Sequence, residues 1–387
     1  MTKMKSYLKT LVLRCADFFY PSFLVHVRQN KVVASSFRGR GFSGNSALVV
    51  EALLAQSDAL DIVWLALDKS TPVPKGVRVV KYNSLASYFE LASAKIWIDD
   101  FRKRYFPRKK RGQVYYQVWH GVLPLKKIEK DAASKLDREY LSDAQRDGHI
   151  TDYMIAGSQF ASDVYHHAFW LEGQVLKYGT PSVDALFKPQ TDAERKNMFN
   201  TLGIGENFRT LLYCPTFRDD FVLSDYTLES EKLLIALTNQ WGGSWRILVR
   251  LHPNARSHEA EVITANPGAI GVTQYPSVEN LIRYSDIIVT DFSSVMFEAL
   301  YANKPTFILA KDYRSYVTSE RGVYDIIHHL PFAVSETNDE LRENLMSFNE
   351  SKYEKLRANF LSYIGSVEDG HAAERIANKI LSESIGE

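Results

Sequence analysis

The chain has 387 residues, 45% of them hydrophobic and 24% charged, which is enough for two domains of ordinary size with buried cores. A formal charge of +1 excludes a global field for nucleic acid, so any basic surface has to be local. Two cysteines, Cys15 and Cys214, exclude a disulfide framework and a cysteine-based metal cluster and point to a reducing, cytoplasmic setting.

From the N-terminus, Lys3, Lys5, Lys9 and Arg14 interleave with Leu8, Leu11, Val12, Leu13, Phe18, Phe19, Tyr20 and Phe23, with no acid before Asp17. That pattern suits a helix lying in a membrane interface; a helix packed on its own domain is the competing reading. No run of about 18 apolar residues is present to span a membrane, and no small-residue cleavage site follows Phe23 to mark a signal peptide. A second basic run, Arg102 to Arg111, holds seven cations around Tyr105, Phe106 and Pro107 and reads as a loop facing anionic lipid headgroups, with a plain solvated loop as the alternative.

Short apolar runs alternate with helical patterns from Lys31 onward. Val32–Ala34, Ile62–Leu65, Lys95–Ile98, Val114–Val118, Tyr153–Ala156 and Gln174–Lys177 read as strands, with helices at Ala47–Ala55 and Phe160–Phe169. The polar stretch Thr191 to Phe208 carries a helical pattern and marks the expected domain boundary. The rhythm restarts with strands at Thr210–Tyr213, Trp245–Val249, Asp286–Val289 and Thr306–Leu309 and helices at 229–238, 277–283 and 294–302. Helices over 337–363 and 370–385 close the fold, and there is no internal repeat. This is the rhythm of βαβ units around parallel sheets.

Five stretches fall just after expected strands, where open α/β sheets bind their ligands. They are Trp119-His-Gly-Val-Leu-Pro-Leu-Lys-Lys127, Tyr178-Gly-Thr-Pro-Ser-Val-Asp184, Tyr213-Cys-Pro-Thr-Phe-Arg-Asp219, Leu248-Val-Arg-Leu-His-Pro253 and Asp291-Phe-Ser-Ser294, the last followed further on by Arg321-Gly322. His120 is poised to take a proton near neutral pH. Thr216 and Arg218 suit phosphate, and Ser293 and Ser294 at a helix start offer hydroxyls and free N–H groups to an anion, or simply cap the helix. Two His, two Arg and a Ser-Ser terminus at such junctions suit a pyrophosphate-bearing ligand. No Walker loop or GxGxxG accompanies them, which argues against NTPase and dinucleotide roles. Asp99-Asp100 is the one tempting carboxylate pair, and Arg102 and Arg104 are expected to neutralise it without a metal ion.

In these residues the chain resembles the CDP-glycerol glycerophosphotransferases that build teichoic acids and related capsule polymers. The resemblance runs from Phe37-Arg-Gly-Arg-Gly-Phe-Ser-Gly-Asn45 to about Tyr324. It is carried by Gln117-Val-Trp-His-Gly121 with Pro124-Leu-Lys-Lys127, Leu212-Tyr-Cys-Pro-Thr-Phe-Arg-Asp219, Arg250-Leu-His-Pro253, Thr290-Asp-Phe-Ser-Ser-Val-Met-Phe-Glu298, Asn303-Lys-Pro305 and Arg321-Gly-Val-Tyr324, in the family's order. It implies two doubly wound, Rossmann-like α/β domains facing across a cleft, the glycosyltransferase type B architecture. The expected organisation is an amphipathic membrane-contacting segment at 1–30, an acceptor domain at 31–190, a CDP-donor domain at 205–365 and a closing helix at 366–387.

The implied reaction moves glycerol phosphate, or ribitol phosphate in relatives, from a CDP-linked donor to a hydroxyl of a growing polymer, without cofactor or metal, and CMP leaves. By the same resemblance His120 is the general base and His252 neutralises the donor pyrophosphate. Thr216, Arg218, Ser293, Ser294 and Arg321 contact its phosphates, while Asp291 and Glu298 orient neighbours or the donor's hydroxyls. Gly121, Lys126 and Asp184 fall to the acceptor side. The family's Gly-x-Pro-Arg-x-Asp turn departs here to Gly179-Thr-Pro-Ser-Val-Asp184, with Ser182 in the Arg position. Expected partners are CDP-glycerol or CDP-ribitol, a lipid-linked or polymeric acceptor and an anionic membrane surface, with no nucleic acid; the expected location is the cytoplasm, on the inner face of the cell membrane. The alternatives are a nucleotide-sugar glycosyltransferase or epimerase of the same fold, and a non-catalytic membrane-surface protein.

Overall fold

The computed structural model describes residues 24–103, 107–218, 220–311, 313 and 322–384. The expected interfacial helix at 1–23 lies outside the described residues, as do Arg104, Tyr105, Phe106, Asp219 and Arg321. The chain forms two compact units, one of residues 1–184 with 365–387 and one of residues 185–364.

In the first unit seven strands form one parallel sheet: β1 (Arg28–Ser35), β2 (Asp61–Ala66), β3 (Val77–Lys81), β4 (Ala94–Asp99), β5 (Val114–Gln117), β6 (Tyr153–Ile155) and β7 (Gln174–Leu176). Their order is β3-β2-β1-β4-β5-β6-β7. Val32–Ala34 of β1 and Ile62–Ala66 of β2 are apolar runs buried on both faces, as a parallel sheet requires. Val32, Ala34, Ile62 and Trp64 belong to one core cluster, and Val33, Val63 and Leu65 to another. The chain leaves β1 in one direction and β4 in the other, so the order reverses between these neighbours. Ser35 pairs with Asp99 at their carboxyl ends, and a crevice outside such a reversal is where this class of sheet holds ligands.

The second unit has six parallel strands: β8 (Phe208–Cys214), β9 (Ser244–Val249), β10 (Ile270–Gly271), β11 (Ile287–Thr290), β12 (Thr306–Leu309) and β13 (Ala333–Ser335). Their order is β10-β9-β8-β11-β12-β13, with the reversal between β8 and β11, where Cys214 pairs with Thr290.

Several boundaries differ from expectation. The stretch Thr191 to Phe208 carries the helix its pattern indicated, Asp192–Thr201, capped by Thr191 accepting from Glu194 N, but the division between the units falls before it, between Asp184 and Ala185. The helix Ala372–Ser384 belongs with the first unit. Ile376, Ala377 and Ile380 pack into the core that holds Val49, Val50 and Leu53, and Glu383 accepts from the hydroxyls of Tyr116 and Tyr153 at 2.7 and 3.0 Å. The expected helix over 337–363 is two, Asn338–Met346 and Glu350–Tyr363, separated where Asn349 caps the second.

The basic run is corrected too. Arg102 and Lys103 are buried. Arg102 pairs with Glu129 at 3.3 Å and lies over the Tyr140 ring; Lys103 pairs with Asp99 at 2.6 Å. Lys109 bonds Asp152, and Lys110 donates to the Val25 carbonyl at 2.6 Å. Four of its cations are therefore spent on internal partners rather than offered to a lipid surface. Among the described residues no helix is long and apolar enough to cross a membrane.

Candidate active site

In the first unit the β1, β4 and β5 ends converge on His120. The β1 end turns through Phe37 and Arg38, both left-handed with φ of 43° and 59°. Asp100, fully buried after β4, holds this turn by accepting from Ser36 Oγ at 2.5 Å and Phe37 N at 2.9 Å. Gly44 passes so close, at φ +69°, that a Cβ would stand 2.6 Å from the Asp100 carboxylate, so only glycine is accommodated there. Asp99 binds Ser35 Oγ and Lys103 Nζ. The carboxylate pair is thus hydrogen-bonded by hydroxyls and paired with Lys103 at Asp99, whereas Arg102 is committed to Glu129. Burial, and then the neighbouring Asp99, push the Asp100 carboxyl up from its ordinary value.

The His120 ring stacks on Phe101 at 5.1 Å and packs against Trp119 at 4.1 Å, while its Nδ1 lies 2.7 Å from the Asp100 main-chain oxygen. A carbonyl only accepts, so Nδ1 carries the proton and Nε2 keeps a lone pair. Burial, helped by the charge of Arg102, holds the imidazole below 6.5 against the opposing pull of that carbonyl. A neutral imidazole with a fixed tautomer is the state a general base needs. The Arg38 guanidinium covers the Phe101 ring at 4.6 Å.

Of the expected acceptor-side residues, Gly121 follows His120 directly and accepts from Tyr165 OH at 3.5 Å, and Lys126 is exposed on the same loop. Asp184, the third of them, lies against a helix terminus. Its two oxygens accept from Ala372 N and Ala373 N at 2.9 and 2.8 Å, so it caps the C-terminal helix and serves the framework.

The second unit brings the expected donor residues among those described to the β8, β9 and β11 ends, Arg321 lying outside them. Asp291, 3% exposed, accepts from Thr216 N at 2.9 Å and Thr216 Oγ1 at 2.6 Å and pairs with Arg218 at 3.3 Å. Its carboxylate organises the loop after β8. Ser294 precedes the helix Val295–Tyr301 without a side-chain cap bond, and Ser293 Oγ accepts from Val295 N at a long 3.5 Å. Glu298 lies inside that helix with its Oε2 buried and unpartnered; burial and then Glu279 push its carboxyl up to about 7.

His252 follows β9 and has the opposite tautomer to His120. Its Nδ1 accepts from Asn254 N at 3.2 Å, so the proton resides on Nε2, and the exposed ring presents a donor. Phe217 packs against it at 5.9 Å, and burial lowers its pKa. Arg250 is anchored by donating to the carbonyls of Tyr275 at 2.7 Å and Val272 at 3.3 Å.

Sequence reasoning did not find the Asp100 carbonyl, Phe101, Asn45 or Gln117. Asn45 and Gln117 stood inside the quoted motifs, but nothing in the residue pattern revealed which atoms their amides would bind. Among the described residues no group of His, Cys, Asp and Glu is arranged to hold a metal ion.

The chain is 28% identical to a Staphylococcus epidermidis teichoic acid poly(glycerol phosphate) polymerase over 92% of this chain and 51% of that protein. A teichoic acid glycerol-phosphate transferase of Staphylococcus aureus is also 28% identical, with 91% of this chain and 93% of that one covered. The chain thus spans about half the length of the first relative and most of the second. In three dimensions it superposes on the wall teichoic acid polymerase TagF with a TM-score of 0.80 at 26% identity, covering 99% of this chain and 97% of the other, which bears out the glycosyltransferase type B fold. The family model for CDP-glycerol:poly(glycerophosphate) glycerophosphotransferases matches residues 18–382, and the chain belongs to that family.

Proposed function

We propose that this protein transfers glycerol phosphate, or ribitol phosphate, from a CDP-linked donor to a hydroxyl of a teichoic-acid-like or capsular polymer and releases CMP. The observation that carries the reading is the tautomer of His120: with Nδ1–H directed at the Asp100 carbonyl, 2.7 Å away, Nε2 is left as a base. Family membership supports the substrate class, as do the names of the relatives.

In the reaction the acceptor hydroxyl gives its proton to His120 Nε2 and its oxygen attacks the phosphorus that bears the polyol. The bond from that phosphorus to the bridging oxygen breaks, and its electron pair leaves with CMP. The charge growing on the pyrophosphate meets the Nε2–H of His252, the Arg218 guanidinium and the Ser293 and Ser294 hydroxyls, while Thr216, whose hydroxyl proton goes to Asp291, holds the loop that carries Arg218. Arg321 joins them on the strength of its sequence motif. Asp291 acts by holding Thr216 and Arg218, and Glu298 supplies a carboxyl oxygen for a donor hydroxyl. Gly121 and Lys126 form the acceptor side, and Asp184 is withdrawn from it.

An anionic membrane surface on the cytoplasmic side belongs to the reading through the basic and aromatic pattern of residues 1–23. The run from Arg102 to Arg111 supports it less, because four of its cations have internal partners.

The test is mass spectrometry of products after incubation with CDP-glycerol or CDP-ribitol and a lipid-linked acceptor, beside a panel of UDP- and CMP-sugars. Acceptor extension by one of the two CDP-polyols supports the reading. Turnover of a nucleotide sugar alone replaces it with the glycosyltransferase or epimerase reading of the same fold.

A further inference from the structure

We infer that Asn45 and Gln117 are positioning residues that brace the backbone turn at Trp119 and so fix the orientation of His120. The inference rests on the reading of His120 as the base, and it adds what keeps that base in place.

Trp119 sits at φ +47°, a left-handed conformation that is unfavourable for a bulky side chain and persists only where the surroundings impose it. The surroundings here are two buried amides, Asn45 at 2% and Gln117 at 1% exposure. Gln117 Oε1 accepts from Trp119 N at 3.0 Å. Asn45 Nδ2 donates to the Val118 carbonyl at 3.1 Å and the Trp119 carbonyl at 2.9 Å. The peptide group before Trp119 is therefore held at both its N–H and its carbonyl, and the one after it at its carbonyl.

Each amide is tied down at its other end. Asn45 Oδ1 accepts from Ser182 N at 2.9 Å, at the start of the helix Pro181–Phe187. Gln117 Nε2 donates to Tyr115 OH at 2.9 Å and the Phe101 carbonyl at 3.3 Å. Val118 N is held by the Asp99 carbonyl at 2.9 Å. Only an uncharged side chain with both a donor and an acceptor satisfies these neighbours at position 45. Aspartate has the same shape but would set a carboxylate against two carbonyl oxygens. If Trp119 relaxed to negative φ, the next residue would swing, and His120 Nδ1 would leave the Asp100 oxygen that fixes its tautomer.

The test compares Asn45→Asp, and Gln117→Leu as an approach from the other side, with the unaltered chain. Steady-state rates are measured with CDP-glycerol and the lipid-linked acceptor, and the His120 tautomer is read by nitrogen NMR on histidine-labelled protein. The expected result is a kcat loss on the order of 10²-fold, as displacement of a base by about 1 Å produces, with donor KM unchanged. The Nδ1–H signature of His120 is expected to give way to a tautomer mixture in both variants. Unchanged kcat and an unchanged tautomer in both folded variants would overturn the inference, as would a kcat loss without any tautomer change. His120→Ala separates the two readings: full turnover in that variant removes His120 as the base, whereas the tautomer measurement decides the bracing whichever way that result falls.

Discussion

His120 directs Nδ1 at the main-chain oxygen of Asp100, 2.7 Å away, so a backbone atom after one strand decides which nitrogen of a histidine after the next is free to take a proton. Burial and the charge of Arg102 keep that ring neutral below its ordinary 6.5. A base works only unprotonated, and a depressed pKa moves the acid limb of the rate profile downward. The midpoint of the acid limb of kcat should therefore fall below 6.5. His120→Ala should lower kcat by ~10²–10⁴-fold and abolish that limb. Rate profiles of the two proteins check both expectations.

His252 offers the reverse arrangement, with Nδ1 accepting from Asn254 N and Nε2–H outward. Its value to a pyrophosphate is a donor at the ε position. His252→Ala should raise donor KM and slow turnover, by about 10–100-fold in kcat/KM, since a hydrogen bond to a charged partner contributes ~1.5–3 kcal/mol. His252→Gln keeps a donor near the same place and should lose less. Equal losses in the two variants would point away from a donor role.

Asp291 accepts both donors of Thr216 and pairs with Arg218, so one carboxylate shapes the loop after β8. Asp291→Asn should weaken donor binding through Arg218, which loses its ionic partner, and lower stability by ~1–3 kcal/mol. Isothermal titration with CDP-glycerol and urea unfolding measure the two effects, and His120 chemistry should respond only through donor affinity.

How far the sequence could be read depended on where the deciding atoms lie. Buried strands such as β2 and β11 are short apolar runs, and their length and their β-branched and aromatic residues reveal them. The edge strand β3, half exposed along its length, and the polar helix Arg138–Ile150 carry weak patterns and escaped notice. The residues of the candidate site were legible as motifs at strand ends, because that is where this fold places chemistry. Their roles were less so. The base is oriented by a backbone oxygen, which has no residue signature. The basic run looked lipid-facing because Glu129 and Asp152, which absorb its charge, come from later elements.

Asp147 is buried beneath the same end of the first sheet, accepting from Lys103 N at 2.7 Å and Tyr115 OH at 3.2 Å. Burial, with Asp99 nearby, pushes its carboxyl up from 3.8 to about 7. A raised folded pKa means that the folded chain keeps a proton which the unfolded chain releases. The stability this provides is complete below 3.8 and is lost as pH rises to about 7. Asp147→Asn should remove that dependence, so the stability difference between the two proteins should change across this window by up to ~1.4 kcal/mol per pH unit. Urea unfolding at a series of pH values reads it, and a constant difference would deny Asp147 the shift.

Asp184 separates framework from acceptor site. Both of its oxygens accept backbone N–H groups at the start of the C-terminal helix, 188 residues later in the chain, and burial raises its pKa. That helix fills the core beside Val49 and Leu53, so loosening its first turn should be felt in the first unit's stability. Asp184→Ala should cost ~1–2 kcal/mol, the range of a lost helix cap. Asp184→Asn, which retains one acceptor oxygen, should cost less. Acceptor KM should stay unchanged in both if the carboxylate serves the helix terminus, where each of its oxygens accepts an N–H. A rise in acceptor KM at undiminished stability would return Asp184 to the substrate side and leave the helix terminus to be held by other groups.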